Sequence, residues 1–235
     1  MKKNESLIKL EKINKKFKDF EINIDLEIFK GEIYGLIGKS GSGKSSILKM
    51  IQGILKYDSG KLYKDDKLEI SYVFQDFNLL NNKTVFENVA LPLRLRGKFD
   101  ENKVEEAIKF VGLENRKYMY IASLSGGEKQ RVGIARAIVS NPDLILCDEV
   151  TASLDKIVKN EILFLFKKIN EEYGTSILLV THELDVAKVL CDRVSVIQKG
   201  EILETFDIVK DEIEDINKNY LDYAKEVLLW RWIQS

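Results

Sequence analysis

The sequence predicts an α/β fold: a mostly parallel sheet that carries a phosphate-binding loop, with a helical segment inserted between its strands. Three observations carry that expectation. Short, continuously apolar runs ("IYGLI" at Ile33–Ile37, "LILC" at Leu144–Cys147, "SILLV" at Ser176–Val180) read as strands buried on both faces, and helical stretches separate them. A glycine-rich loop, "GKSGSGKSS" at Gly38–Ser46, stands between the first of these runs and a helix. The middle of the chain, about 77–139, changes to helical periodicity.

In chain order, Phe20–Phe29 ("FEINIDLEIF") alternates apolar and polar residues as a half-buried strand does, and Lys30-Gly31-Glu32 makes the turn into Ile33–Ile37. Lys44–Ile54 spaces its apolar residues as a helix, and "ISYVF" at Ile70–Phe74 is a further strand. "TVFENVALPLRLRG" and "DENKVEEAIKFVGL" read as helices, the second with Asp100 as N-cap and Val104, Ile108 and Val111 on one face. Another helix starts near Gly127. From Asn141 strands and helices alternate: "LILC", a helix over Asp155–Tyr173, "SILLV", a helix from Glu183, then a hairpin turning at Lys199-Gly200. The closing stretch, about 207–235, reads as an acidic helix ending in apolar "VLLWRW", which either packs on the core or offers an aromatic patch to a partner.

Composition narrows the function classes. The 235 residues are 45% hydrophobic and 32% charged, enough for one good core. With 37 basic against 38 acidic residues the net charge is −1, so no overall cationic field recruits nucleic acid or anionic lipid. The nearest thing to a basic cluster, Arg94–Lys98, reads as a solvated helix end. Cys147 and Cys191 lie in apolar stretches and read as buried, reduced thiols. The N-terminus lacks the apolar region of a signal peptide, and no apolar run approaches the roughly 20 residues of a membrane span. A membrane role therefore has to come through a partner.

The chemistry concentrates in a few places. Gly38-x-x-x-x-Gly43-Lys44-Ser45 is a full P-loop pattern: backbone N–H groups close around phosphates, Lys44 reaches the β/γ oxygens and Ser45 ligates Mg²⁺. "LILCDE" ends a buried strand in two acids. Asp148 is placed to assist Mg²⁺, and Glu149, one residue on, to orient or deprotonate an attacking water. His182 is the single histidine, just past another buried strand, where ligands gather in such sheets. Gln75 can touch a metal or a water, or cap a loop. Phe17 can stack on a base or fill core, the commoner fate of an aromatic. "LSGGEKQRV" from Leu124 adds a second helix start suited to an anion.

Taken together and in this order, these residues resemble an ATP-binding-cassette (ABC) ATPase over about Leu7–Glu204, and "LSGGEKQR" resembles the signature that sets that family apart from other P-loop proteins. The resemblance implies a RecA-like P-loop core, a small antiparallel β lobe and an inserted helical lobe. It implies ATP and Mg²⁺ as cofactors, and two copies facing head to tail, each signature closing over the phosphate held by the other copy. Carried across, Phe17 stacks on adenine; Gly38, Ser40, Gly41, Gly43, Lys44, Ser45 and Ser46 form the phosphate loop; Gln75 links nucleotide to a membrane partner. Ser125, Gly126, Gly127 and Gln130 form the trans-acting signature. Asp148 assists Mg²⁺, Glu149 is the catalytic base, Asp155 crosses the dimer, and His182 is the switch histidine. The implied setting is the cytoplasmic face of the cell membrane, bound to permease subunits and served by an extracellular substrate-binding protein.

Within that family, "VFQDFNLLNNKTVFENVALPL", "LILCDE" and "THELDVAKVLCDRVSVI" look most like methionine-importer subunits; polar amino-acid importers are close to them, as are lipoprotein-release and macrolide-export cassettes, which share "LPL" and "TASLD"-like wording. A soluble cassette acting on ribosomes or DNA is a further alternative, one usually marked by tandem cassettes, a long coiled coil or a basic segment. Three features depart from the importer pattern. Only fourteen residues separate Gly60 from Gln75, so the antiparallel lobe is expected to be trimmed. Val150 follows Glu149 where proline or alanine is usual, which stiffens the loop without removing a catalytic group. The sequence ends at Ser235, short of the regulatory domain of full-length methionine-importer subunits, so feedback inhibition of that kind is not expected.

Overall fold

The computed structural model describes residues 5–152 and 154–212. Strands β1 (Ser6–Lys16) and β2 (Glu21–Phe29) lead into β3 (Ile33–Ile37), α1 (Lys44–Ile51), β4 (Ser59–Lys64) and β5 (Ile70–Val73). Helices α2 (Val85–Leu95), α3 (Glu101–Phe110) and α4 (Gly126–Ile138) follow, all within the 77–139 stretch. Then come β6 (Leu144–Asp148), α5 (Lys156–Tyr173), β7 (Ser176–Thr181), α6 (Leu184–Leu190), β8 (Arg193–Gln198) and β9 (Glu201–Asp207).

The strands form one sheet in the order β4-β1-β2-β9-β8-β3-β7-β6-β5. From β8 to β5 every pairing is parallel. β9 returns antiparallel on β8, and β4, β1 and β2 form an antiparallel edge. That edge joins the rest through a single register pair, Asn23 with Glu201.

The central strands show why their sequences run continuously apolar. On β3, Tyr34 and Leu36 face a core shared with α1 and the antiparallel edge, whereas Ile33 and Ile37 face the core under α2, α4 and α5. β6 and β7 divide the same way, with Leu146 and Val180 on the first side and Cys147 and Leu179 on the second. Alternation persists, but both faces are covered, and each fully buried Leu or Ile contributes about 1.5–3 kcal/mol. Val85, Val89 and Val104 of the helical stretch belong to the same apolar core as Ile33, so these helices are continuous with the sheet rather than a separate body.

Most expected elements appear with shifted ends. The helix expected to Ile54 stops at Ile51, and Gly53 takes a left-handed φ of 79°. The trimmed antiparallel lobe still has three strands, because β4 pairs with β1 (Leu62 opposite Leu10), and residues 65–69 alone connect β4 to β5. The expected closing helix of about 207–235 meets the described residues only at its start: Asp207 ends β9 and residues 208–212 are not helical. Its remainder lies outside the described residues. Both cysteines are buried and free, and burial raises both thiol pKa values, that of Cys191 to about 12.

Candidate active site

The site lies at the carboxyl ends of the central parallel strands, where β3, β6 and β7 deliver the P-loop, Asp148–Glu149 and His182 side by side. α1 begins without a side-chain cap: its N-cap is Gly43, at φ 105°, a conformation costly for any residue with a Cβ. No acidic residue lies in its first turn. The first N–H groups of α1 are therefore free to meet an anion.

A cleft of about 350 Å³ opens over this helix start, lined by Phe17, Phe20, Ser40, Gly41, Gly43, Lys44, Ser45, Ser46, Gln75 and Glu149. Lys44 is buried, and its Nζ donates to the carbonyls of Gly38 at 2.8 Å and Lys39 at 3.1 Å. Burial lowers its pKa, opposed by the nearby charges of Glu149 and Asp148. Its ammonium is 3.8 Å from Glu149 Oε1. A cation held this way exchanges two carbonyls for phosphate oxygens with little reorganisation.

Glu149 follows β6 directly and takes a left-handed φ of 48°, a strained conformation for a residue of this kind. Its N–H still donates to the Val180 carbonyl at 2.9 Å, continuing the β6–β7 ladder, and the left-handed φ turns the chain out of the strand at this residue. The side chain then faces both Lys44 and His182, whose Nδ1 is 3.3 Å from Glu149 Oε1. Val150, expected to stiffen this turn, is 2% exposed and anchored in the core. His182 is itself half exposed and does not line the cleft.

Asp148 is bridged on both oxygens. Ser45 Oγ donates to Oδ1 at 3.1 Å and the Tyr72 hydroxyl to Oδ2 at 2.9 Å. Burial first, and then the charge of Asp148, push the Tyr72 pKa upward, so this hydroxyl stays protonated and donating.

The second anion-suited helix start is elsewhere: none of Ser125, Gly126 or Gly127 lines the cleft. Ser125 caps α4 in a closed capping box, its N–H donating to Glu128 Oε2 at 2.9 Å and its Oγ accepting from the Glu128 N–H at 3.3 Å. A Cβ on Gly127 would come within 2.6 Å of Val158 Cγ1, so glycine is needed where α4 crosses the first turn of α5. Asp155 caps α5, accepting from the N–H groups of Ile157 and Val158 at 3.1 Å. Its carboxylate thus also fixes the start of α5. Gln130 is 1% exposed, facing the interior, and its Nε2 finds no partner among the described residues.

Several participants escaped the sequence reading. Phe20 lines the cleft beside Phe17, their ring centroids 6.0 Å apart. Arg136 on α4 donates to the carbonyls of Phe77 at 2.9 Å and Asn78 at 2.7 Å, both left-handed residues just after Gln75. Glu183, next to His182, accepts from Thr151 Oγ1 at 2.7 Å and from Lys159 Nζ, tying the loop that carries His182 to the segment after Glu149. Of these, only a polar residue beside the histidine left a signal in the sequence; the other contacts join distant segments.

A phosphate loop between a central strand and its helix, with an acid at the mouth of a neighbouring parallel strand, defines a P-loop nucleotide-binding domain. The family model described as ABC transporter matches residues 22–152, and the chain belongs to that family. It is 45% identical over 221 residues to the methionine import ATP-binding protein MetN 1 of Bacillus licheniformis, covering 86% of this chain and 66% of that protein. It is 46% identical over 200 residues to the methionine import ATP-binding protein MetN of Legionella pneumophila, covering 78% of this chain and 59% of that one. The chain thus spans less than two thirds of either relative. Among solved structures, a dimeric ATP-binding cassette in a post-hydrolysis state bound to ADP and Pi matches with a TM-score of 0.75 and 33% identity, over 87% of this chain and all of that one.

Proposed function

We propose that this chain hydrolyses ATP as the cassette subunit of a membrane transporter, working as a head-to-tail pair of copies and driving import of methionine or a similar amino acid. The observation that carries the reading is the split between the two helix starts: α1 opens into the cleft, while the α4 start, with Ser125–Gly127, lies outside it. A signature that lies outside its own chain's cleft is suited to a second copy's. The named activity of the relatives supports methionine as the cargo.

The nucleotide's phosphates fit over the N-terminus of α1, with Phe17 and Phe20 offering aromatic faces at the cleft's side. The donors at the Ser45–Asp148 edge are a hydroxyl and a carboxylate, with the Gln75 amide also lining the cleft. This all-oxygen set suits Mg²⁺, which would neutralise charge developing on the phosphates. Lys44 stabilises the same charge from the loop side. Glu149 Oε1 takes the proton of the attacking water, and His182 at 3.3 Å helps hold that carboxylate in place. Among the described residues no helix is long and apolar enough to cross a membrane, so the reading assigns membrane attachment, at the cytoplasmic face, to permease subunits.

The test is the company the protein keeps. Glu149→Gln, isolated with MgATP from gently solubilised native membranes, should bring down a small permease together with an extracellular binding protein whose ligand is methionine or a similar amino acid. A permease with a large extracellular domain and no binding protein would instead mark an exporter or lipoprotein-release system. Ribosomal partners would overturn the transporter reading.

A further inference from the structure

We infer that Tyr72 is a positioning residue for the divalent cation: its hydroxyl fixes the Asp148 carboxylate and thereby sets how tightly the cleft holds Mg²⁺ beside a nucleotide. The inference deepens the proposed function and rests on its placement of Asp148 at the metal. The carboxylate's terminal torsion is intrinsically soft, so a lone Asp at a strand end would sample many orientations. Here it is held from two sides by donors on different elements, Tyr72 on β5 at 2.9 Å and Ser45 on α1 at 3.1 Å.

The two contacts act in sequence. Tyr72 occupies Oδ2, which leaves Oδ1 facing Ser45. Ser45 has one proton and gives it to Oδ1, so the lone pairs of its oxygen are free for a cation. Release Oδ2 and the carboxylate can turn, and the ligand oxygen of Ser45 loses its orientation. The phenol's own geometry is built in. Tyr72 pairs with Leu146 in the β5–β6 ladder, and its ring lies 4.2 Å, centroid to centroid, from that of Phe74. Removing such an outer partner of a metal ligand typically costs about 10–100-fold in metal affinity.

The test uses Tyr72→Phe in the full chain, with Asp148→Asn alongside. Affinity for a fluorescent ATP analogue is measured in EDTA and across a Mg²⁺ titration, and Mn²⁺ binding is followed independently by electron paramagnetic resonance. Tyr72→Phe keeps the ring and its contact with Phe74; Tyr72→Met, which also lacks the hydroxyl, must shift the metal in the same direction. The expected result is unchanged affinity in EDTA with a Mg²⁺ midpoint raised about tenfold or more. An unchanged Mg²⁺ midpoint in Tyr72→Phe while Asp148→Asn shifts it overturns the role of Tyr72 alone. If neither variant moves the midpoint, the placement of Asp148 at the metal fails as well. A loss of affinity in EDTA equal to the loss in Mg²⁺ reduces Tyr72 to a packing residue and also overturns the inference.

Discussion

The starts of α1 and α4 are both glycine-flanked and both suited to an anion, yet they are built in opposite ways. α1 starts from Gly43 with no side-chain cap and no acid in its first turn, so its N–H groups are open to a ligand from the same chain. α4 starts from a closed box in which Ser125 and Glu128 satisfy one another, and Arg116 Nε pairs with the Glu128 carboxylate at 3.1 Å. An open start is a finished half-site. A self-capped start satisfies its own Ser125 and Glu128 N–H groups and places a carboxylate in its first turn. The difference fits a protein in which one helix start holds nucleotide in each copy and the other receives it only when two copies meet.

That contrast can be broken at several points, and the largest effect belongs to the open side. Lys44→Ala should weaken ATP binding by about 100-fold or more by calorimetry, since a buried charge-assisted contact is lost; wild-type affinity would contradict the P-loop assignment. Gly127→Ala forces a methyl against Val158 and should destabilise the chain by about 1–3 kcal/mol in urea titration. Nucleotide binding by the monomer should survive, because the clash lies outside the cleft. Glu128→Gln keeps the cap geometry but removes a negative charge from the incoming phosphate's path. The ATP concentration for half-maximal pairing should fall a few-fold, in line with about 0.3–1 kcal/mol for a charge at a helix start; an unchanged or higher midpoint would detach Glu128 from that step.

The smallest effect is a control on the same device. Thr84 and Glu87 close an identical box on α2, away from the cleft. Hydrogen bonding to Lys83, then to the Thr84 backbone, lowers the Glu87 pKa from 4.5 to about 2. A depressed carboxyl pKa contributes stability above pH 4.5 that is lost as pH falls toward 2. Glu87→Gln should therefore flatten the acid limb of the stability profile over that window and leave pairing with ATP untouched.

Much of this was legible in the sequence because the relevant signals are local. Strands buried on both faces announce themselves as apolar runs, and Asp100 does cap α3 as its position suggested. β1 was not legible: its register with β2 slips between Leu10 and Ile13, and Lys12 takes φ 48°, which breaks the alternation a strand reading depends on. β4 is mostly exposed and carries no apolar run. In the site, the P-loop, Asp148 and Glu149 could be read from spacing. Tyr72 and Arg136 could not, because each acts on a partner more than fifty residues away that only the fold brings near. The interior placement of Gln130 was equally hidden: helical periodicity buries that position, and a motif pattern does not report burial.

The central claim is that one chain holds nucleotide and a second completes the site. Its most direct test is the mass in solution of Glu149→Gln, by light scattering, with and without saturating MgATP. The account predicts monomer without nucleotide and a stable dimer with it, because binding is intact and turnover is not. A monomer at saturating MgATP, with nucleotide demonstrably bound, would contradict the composite site and leave the α4 start without the phosphate it is placed to receive.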